Sequence, residues 1–156
     1  MGNDSPHGRD FIARDDAIRN TLGFRANELA RIYEGSLTRE LAPLGIAPAQ
    51  FRVLMHLWEE DGITQSSIVK RSRIEQSTIA LTLKRMERDG LITRRPDPSD
   101  SRAQLIIMTQ RARVLRAPAT EAIRRANAEG TRALSAAELE ALTGLLDRVL
   151  ENFGAA

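Results

Sequence analysis

Residues 91–108 read LITRRPDPSDSRAQLIIM: two runs rich in β-favouring residues, 91–95 and 104–108, joined by a stiff and charged connector. Such a pair reads as a β-hairpin with a long tip. On both sides of it the apolar residues recur at helical spacing, so the chain has to pack helices around one small hairpin. Aromatic residues are 4% of the 156-residue chain, so the core must be built mostly from Leu, Ile, Val and Ala, a palette suited to packed helices and not to an all-β fold. The apolar fraction of 42% is sufficient for one domain, with or without helical extensions.

Residues 1–10 are polar and contain Gly and Pro, and read as a mobile arm. From Phe11 to Leu41 the residues Ile18, Leu22, Leu29, Ile32, Leu37 and Leu41 line one side of a long amphipathic helix, with a bend expected at Gly23 or Gly35. Pro43, Gly45 and Pro48 end it. A second helix runs from Pro48 to Glu60, with Phe51, Leu54 and Leu57 inward. Two short helices follow, one capped by Thr64 and ending near Ser72, the other from about Gln76 to Asp89 with Ile79, Leu83 and Met86 inward and Gly90 as its stop. After the hairpin, Thr109 caps a helix to about Glu129, bent at Pro118. Ser135-Ala-Ala-Glu138 is a capping box opening a last helix with Leu139, Leu142, Leu146, Val149 and Phe153 on one side.

Several function classes fall away. With no cysteine there is no disulfide framework, thiolate metal site or cysteine nucleophile, and the cytoplasm is the default location. No apolar run is long enough to span a bilayer and the N-terminus lacks a signal core, so no membrane partner is expected. The two histidines, His7 and His56, are far apart, and no nucleophile elbow, dinucleotide fingerprint or phosphate loop is present. Adjacent carboxylates such as Asp15-Asp16 and Glu59-Glu60 fit solvated helix faces. An enzyme is not expected, nor any cofactor or metal.

The order of helix, short helix, turn, short helix and hairpin is a winged helix-turn-helix. The fold class is therefore mainly α with a small β-hairpin wing, flanked by long N- and C-terminal dimerisation helices, because those helices would expose long apolar stripes unless two chains buried them together. A monomeric bundle folding the stripes back on itself is the alternative. Thr64 to Arg102 carries nine Lys and Arg against five Asp and Glu; 23 less nine leaves 14, and 21 less five leaves 16, so the middle is basic and the flanks slightly acidic. That segregation suits a polyanion, though a solvated face would look the same. The second short helix is narrow enough for the major groove of double-stranded DNA, the hairpin reaching the neighbouring backbone or minor groove. Gln76, Ser77, Thr78 and Thr82 offer short donors and acceptors, and Lys84, Arg85 and Arg88 add positive charge. Thr64 and Ser66, at the head of the first short helix, are further candidates, as are Arg94 and Arg95, which either reach phosphates or pair with Asp89, Asp97 or Glu87.

Residues 48–109 resemble the MarR family of bacterial transcriptional regulators, most specifically in ERDGLITRRPDPSDSR and in the Gln-Ser-Thr-Ile that opens the second short helix. The long helices on either side match the family's dimerisation elements, so the resemblance extends over nearly all of the chain after residue 10. It implies a mobile arm (1–10), a dimerisation helix (11–47), a winged helix-turn-helix DNA-binding domain (48–108) and C-terminal dimerisation helices (109–156). It implies a homodimeric repressor on an inverted-repeat operator. An architectural protein without effector or defined operator is the alternative, and a wing used only for protein contacts is a third reading. By resemblance, Arg102 of Asp100-Ser101-Arg102 enters the minor groove and Asp100 orients it, which suits the negative potential of a narrow A·T-rich groove. Pro96 and Pro98 reduce the freedom the tip loses on docking. Three positions depart from the family pattern. Ser72-Arg73 stands where a Leu-Gly pair is usual, so a left-handed turn position must be held by Arg73 or avoided, and Arg73 becomes an extra phosphate candidate. Leu81 stands where arginine is frequent, and Arg111-Ala112 where glycine is common.

The resemblance also implies a small effector, often aromatic and anionic, in a pocket where helix 11–41, helix 48–60 and the start of helix 109–129 meet. Arg25 and Arg52 are the candidates for a carboxylate and His56 and Trp58 for stacking. The plainer alternatives are ion-pair partners for the arginines, a surface position for His56 and a core position for Trp58. Without cysteine, a thiol-oxidation switch is excluded.

Overall fold

A computed structural model describes residues 17–100 and 102–154; the expected arm at 1–10 and the start of the first helix lie outside them. In chain order the elements are α1 (Leu22–Leu41), a 3-10 turn (Ala42–Leu44), α2 (Pro48–Glu59), β1 (Ile63–Thr64), α3 (Gln65–Ser72), α4 (Gln76–Arg88), β2 (Ile92–Pro96), β3 (Gln104–Met108), α5 (Gln110–Val114), α6 (Arg116–Thr131) and α7 (Ala136–Asn152).

The expected bend in the first helix falls elsewhere. α1 runs through Gly23 and Gly35 without interruption, and the break lies at Asn20-Thr21, after a helical stretch at 17–19. Thr21 makes it. Its backbone is extended (φ −74°, ψ 149°), its hydroxyl accepts from the Phe24 N–H at 3.3 Å and donates to the Ile18 carbonyl at 2.8 Å, so one side chain closes one helix and opens the next.

α2 starts with Pro48 in its first turn, where a missing N–H costs nothing, and the Gln50 amide oxygen accepts from the Ala47 N–H at 2.9 Å. α3 is capped by Thr64, which accepts from the Ser67 N–H at 3.2 Å. It ends on Arg73 at φ 54°, ψ 26°, the one non-glycine residue with positive φ among those described. The left-handed position is thus held and not avoided, at a cost of about 1–2 kcal/mol relative to glycine. α4 stops at Gly90, whose φ of 68° is the conformation glycine adopts without strain.

The sheet has three strands in the order β1-β3-β2, all antiparallel. The expected hairpin is present, one residue later in its first strand, with Ile92 opposite Met108 and Pro96 opposite Gln104. β1 was not expected. Its two residues, Ile63 and Thr64 opposite Ile106 and Leu105, are too few to show alternation, and only the neighbouring β3 makes them a strand.

The helix expected from Thr109 to about Glu129 is two helices. The break comes at Leu115 and not at Pro118, because Pro118 has no N–H for the carbonyl of Val114 and its ring clashes there, so regular helix cannot run through the preceding turn. The core is formed by α2, α3, α4 and the sheet, with Leu54, Leu57, Ile68, Ile79, Leu83, Met86, Leu91, Ile92 and Ile106 all buried. α1 lies along α6. Tyr33 sits so close to Gly130 that a Cβ there would come within 2.1 Å of the tyrosine hydroxyl, and Arg39–Glu129 (2.5 Å) and Arg125–Glu40 (2.7 Å) pair across the same contact. α7 is different, since none of its residues is buried.

Candidate nucleic-acid interface

The inward residues of α4 are Ile79, Thr82, Leu83 and Met86, and this sets its outward face by helical spacing. Gln76, Ser77, Thr78, Lys84, Arg85 and Arg88 are exposed there, together with Leu81 at 51% exposure. Thr82 does not belong with them. It is 6% exposed and its hydroxyl donates to the Thr78 carbonyl at 2.8 Å, so it serves the helix and not a ligand. Three residues after Ile79 and one before Leu83, it lies on the core side.

Thr64 is likewise committed. Its hydroxyl takes the Ser67 N–H and sits 2.8 Å from Ser66 Oγ and 3.0 Å from Ser67 Oγ. Ser66 is exposed and lines a groove of about 280 Å³ with Gln65, Val69, Lys70 and Gln76, between α3 and the start of α4. Sequence reading missed Gln65 and Lys70. Lys70 lies four residues after Ser66, hence on the same helix face, and that spacing was the available signal. Arg73 is exposed, its Nη1 donating to the Gly154 carbonyl at 3.4 Å.

The two arginines of the wing root point to opposite faces of β2. Arg94 is half-buried and pairs with Glu87 of α4 at 3.4 Å, so of the alternatives read from the sequence the structure has the ion pair. Arg95 faces away and is exposed. Arg88 is bound to Asp89 at 2.8 Å, and this hydrogen bond, with that from Gln50, holds the Asp89 carboxyl below the usual aspartate range.

The tip is organised by its own carboxylates. Asp97 accepts from the N–H of Ser99 at 2.8 Å and from its hydroxyl at 2.6 Å, which depresses the Asp97 carboxyl's pKa and keeps it ionised. Asp100 Oδ1 accepts from the Arg102 N–H at 2.9 Å and lies 3.7 Å from its Nε. The Arg102 side chain is 93% exposed, a guanidinium held out at the end of a braced turn. Such a group can enter a groove of negative potential without first breaking a tight ion pair.

A cavity of about 350 Å³ lies where α1, α2 and the start of α6 meet, lined by Leu37, Phe51, Met55, Trp58, Glu59, Arg116, Thr120 and Ile123. Of the four effector candidates only Trp58 lines it. Phe51, Met55, Trp58 and Glu59 share one face of α2, at whose edge Arg52 is drawn off by its ion pair, while His56 is turned further away. Arg52 pairs with Glu34 at 2.5 Å, and Arg25 is exposed and bonded to Asn20 at 2.9 Å. The cation at the cavity is Arg116, which the sequence did not single out because the helix break placing it there was expected three residues later.

Among the described residues no helix is long and apolar enough to cross a membrane. Residues 46–103 match the model of the MarR family. The whole fold is similar to a probable transcriptional regulator from Pseudomonas aeruginosa (26% identity, TM-score 0.79, 85% of this chain and 98% of that one). It is also similar to a MarR variant from E. coli complexed with operator DNA (27% identity, TM-score 0.78, 83% and 93%). A third similar structure is the transcriptional repressor CouR bound to a 23-mer DNA duplex (26% identity, TM-score 0.77, 85% and 94%). Residues 46–103 thus carry a MarR-family domain, within a winged helix-turn-helix fold that is shared almost end to end with these regulators.

Proposed function

We propose that the protein is a homodimeric transcriptional repressor that binds an inverted-repeat operator and is released from it by a small effector. The match of residues 46–103 to a family of regulators, and not of enzymes, supports the class. The observation that carries the reading is the pairing of an exposed polar start of α4 with a 93% exposed Arg102 on a braced wing tip. α4 would lie in the major groove with Gln76, Ser77 and Thr78 towards base edges or phosphates, Leu81 towards a thymine methyl, and Lys84 and Arg85 towards the backbone. Ser66, Lys70, Arg73 and Arg95 add phosphate contacts, and Arg102 takes the minor groove with Asp100 orienting it.

The dimer rests on α1 and α7. Ile18, just before α1, and Leu22, Leu29 and Ile32 on it, with Leu142, Leu145 and Leu150 on α7, are all more than 40% exposed, apolar surface that a second copy would cover. Residues 11–47 and 109–156 thus form the dimerising part and residues 48–108 the DNA-reading part. The cavity at Trp58 has one cation, Arg116, one carboxylate, Glu59, and an otherwise largely apolar wall, and Arg116 with the aromatic wall would take a small aromatic carboxylate or thioester whose acid group is turned away from Glu59. Such a ligand would act by favouring a spacing of the two α4 helices other than the ~34 Å of one DNA turn.

Selection from a pool of random duplexes, followed by footprinting over a range of salt, tests the reading. A discrete inverted repeat with a large specific-to-nonspecific ratio is expected. Even protection of all duplexes would favour the architectural alternative, and no duplex binding would end both.

A further inference from the structure

The five residues of α5 touch every part that such a regulator would have to connect. Three consecutive side chains or carbonyls are each tied to a different element. Arg111 Nη1 donates to the Asp89 carbonyl, at the C-terminal end of α4, at 2.6 Å. The Ala112 carbonyl accepts the indole N–H of Trp58, in the cavity wall, at 3.0 Å. Arg113 pairs with Asp61, whose other oxygen accepts from the Met108 N–H of the wing strand β3 at 2.8 Å and from the Gly62 N–H at 3.0 Å. At its head, the Thr109 hydroxyl donates to the Gly90 carbonyl at 2.8 Å, just past α4.

The other end of α5 is a joint. Leu115 separates it from α6, and Pro118 withholds the hydrogen bond that would stiffen the connection. Arg116, Thr120 and Ile123, beyond the joint, line the same cavity as Trp58. A molecule in that cavity therefore presses at once on the ring bonded to α5 and on the helix hinged to it.

We infer that α5 is the piece that transmits between the Trp58 cavity and the DNA-reading elements, with Arg111 and Arg113 as positioning residues for α4 and for the wing respectively. This rests on the DNA-binding reading above. Coupling between two binding events is reciprocal, so if the cavity can alter DNA binding, DNA binding must alter the cavity. Trp58 is the single tryptophan of the chain and reports on the cavity without any effector being known.

The full-length protein is titrated with the selected duplex while binding is followed by anisotropy of a dye on the DNA and the cavity by Trp58 emission. Saturating duplex is expected to shift the emission of the wild type. The double variant Arg111→Gln, Arg113→Gln should bind at least about fivefold more weakly and lose most of the shift at saturation. Pro118→Ala leaves all three ties in place but closes the joint; it should raise the thermal midpoint and yet reduce the shift, which a merely structural role would not do. If the double variant does not fold, Pro118→Ala decides. An undiminished shift in the folded variants, or no shift in a wild type that anisotropy shows to be bound, overturns the inference. A wild type that binds no duplex overturns the DNA-binding reading, and the inference with it.

Discussion

At the scale of single residues, backbone geometry and side-chain function pull against each other at Arg73. The turn between α3 and α4 demands a left-handed residue, and arginine is held there at φ 54°. Arg73→Gly is expected to stabilise the fold by about 0.5–1 kcal/mol by relieving that strain, net of the exposed contact it removes. The same change should weaken duplex binding and lower the salt slope by about one, because a phosphate contact goes with it. Thermal melts and a salt series check the two halves separately. At the wing tip there is no such conflict. Arg102→Ala leaves every backbone hydrogen bond of the turn in place, so it should leave the melt unchanged while costing about 1–3 kcal/mol of duplex affinity and relaxing any preference for A·T steps beside the major-groove contacts. Affinity measured on duplexes varied at those steps reads this out.

Among the elements, the α1–α6 contact is both closely fitted and charged. Gly130 is there because Tyr33 occupies the space of a Cβ, and Gly130→Ala should destabilise by about 1–3 kcal/mol unless the tyrosine swings out. Denaturant unfolding of this variant beside Tyr33→Phe checks it. Nearby, the hydroxyl of Ser36 and then the guanidinium of Arg39 hold the Glu129 carboxyl below the usual glutamate range. A carboxyl whose folded pKa is depressed adds stability that is complete above its unfolded value, roughly pH 4–5, and lost as the pH falls through the folded one. Glu129→Gln should therefore melt with a shallower pH dependence below about pH 5 than the wild type, the two curves running parallel at neutral pH.

The whole molecule is unbalanced as a single chain, with a closed core in the middle and an uncovered helix at the end. Leu145, 56% exposed on α7, is a point at which a charge would harm a dimer and nothing else. Leu145→Glu is expected to sediment as one chain, keep the helical content of the wild type, and lose on the order of a hundredfold in duplex affinity as bivalent engagement is lost. A variant that still sediments as two chains would place the interface elsewhere.

Periodicity and capping were legible in the residues themselves. Helical spacing located α2, α3, α4 and α7, Thr64 marked the start of α3 and Ser135 that of α7, and the paired β-rich runs located the hairpin to within a residue, because these signals act between residues a few positions apart. The helix-turn-helix order followed from them, whereas Arg102 was singled out through the resemblance of the wing tip to a known family. Tertiary structure decided the remainder. Ile63 and Thr64 are a strand only because β3 passes beside them, and Thr82 is inward only because the core fixes the rotation of α4. Arg116 faces the cavity, and Arg52 and His56 do not, because helix orientation and the Leu115 break place them so. Each of these depends on groups distant in sequence meeting in space, and no local pattern encodes which distant partner arrives.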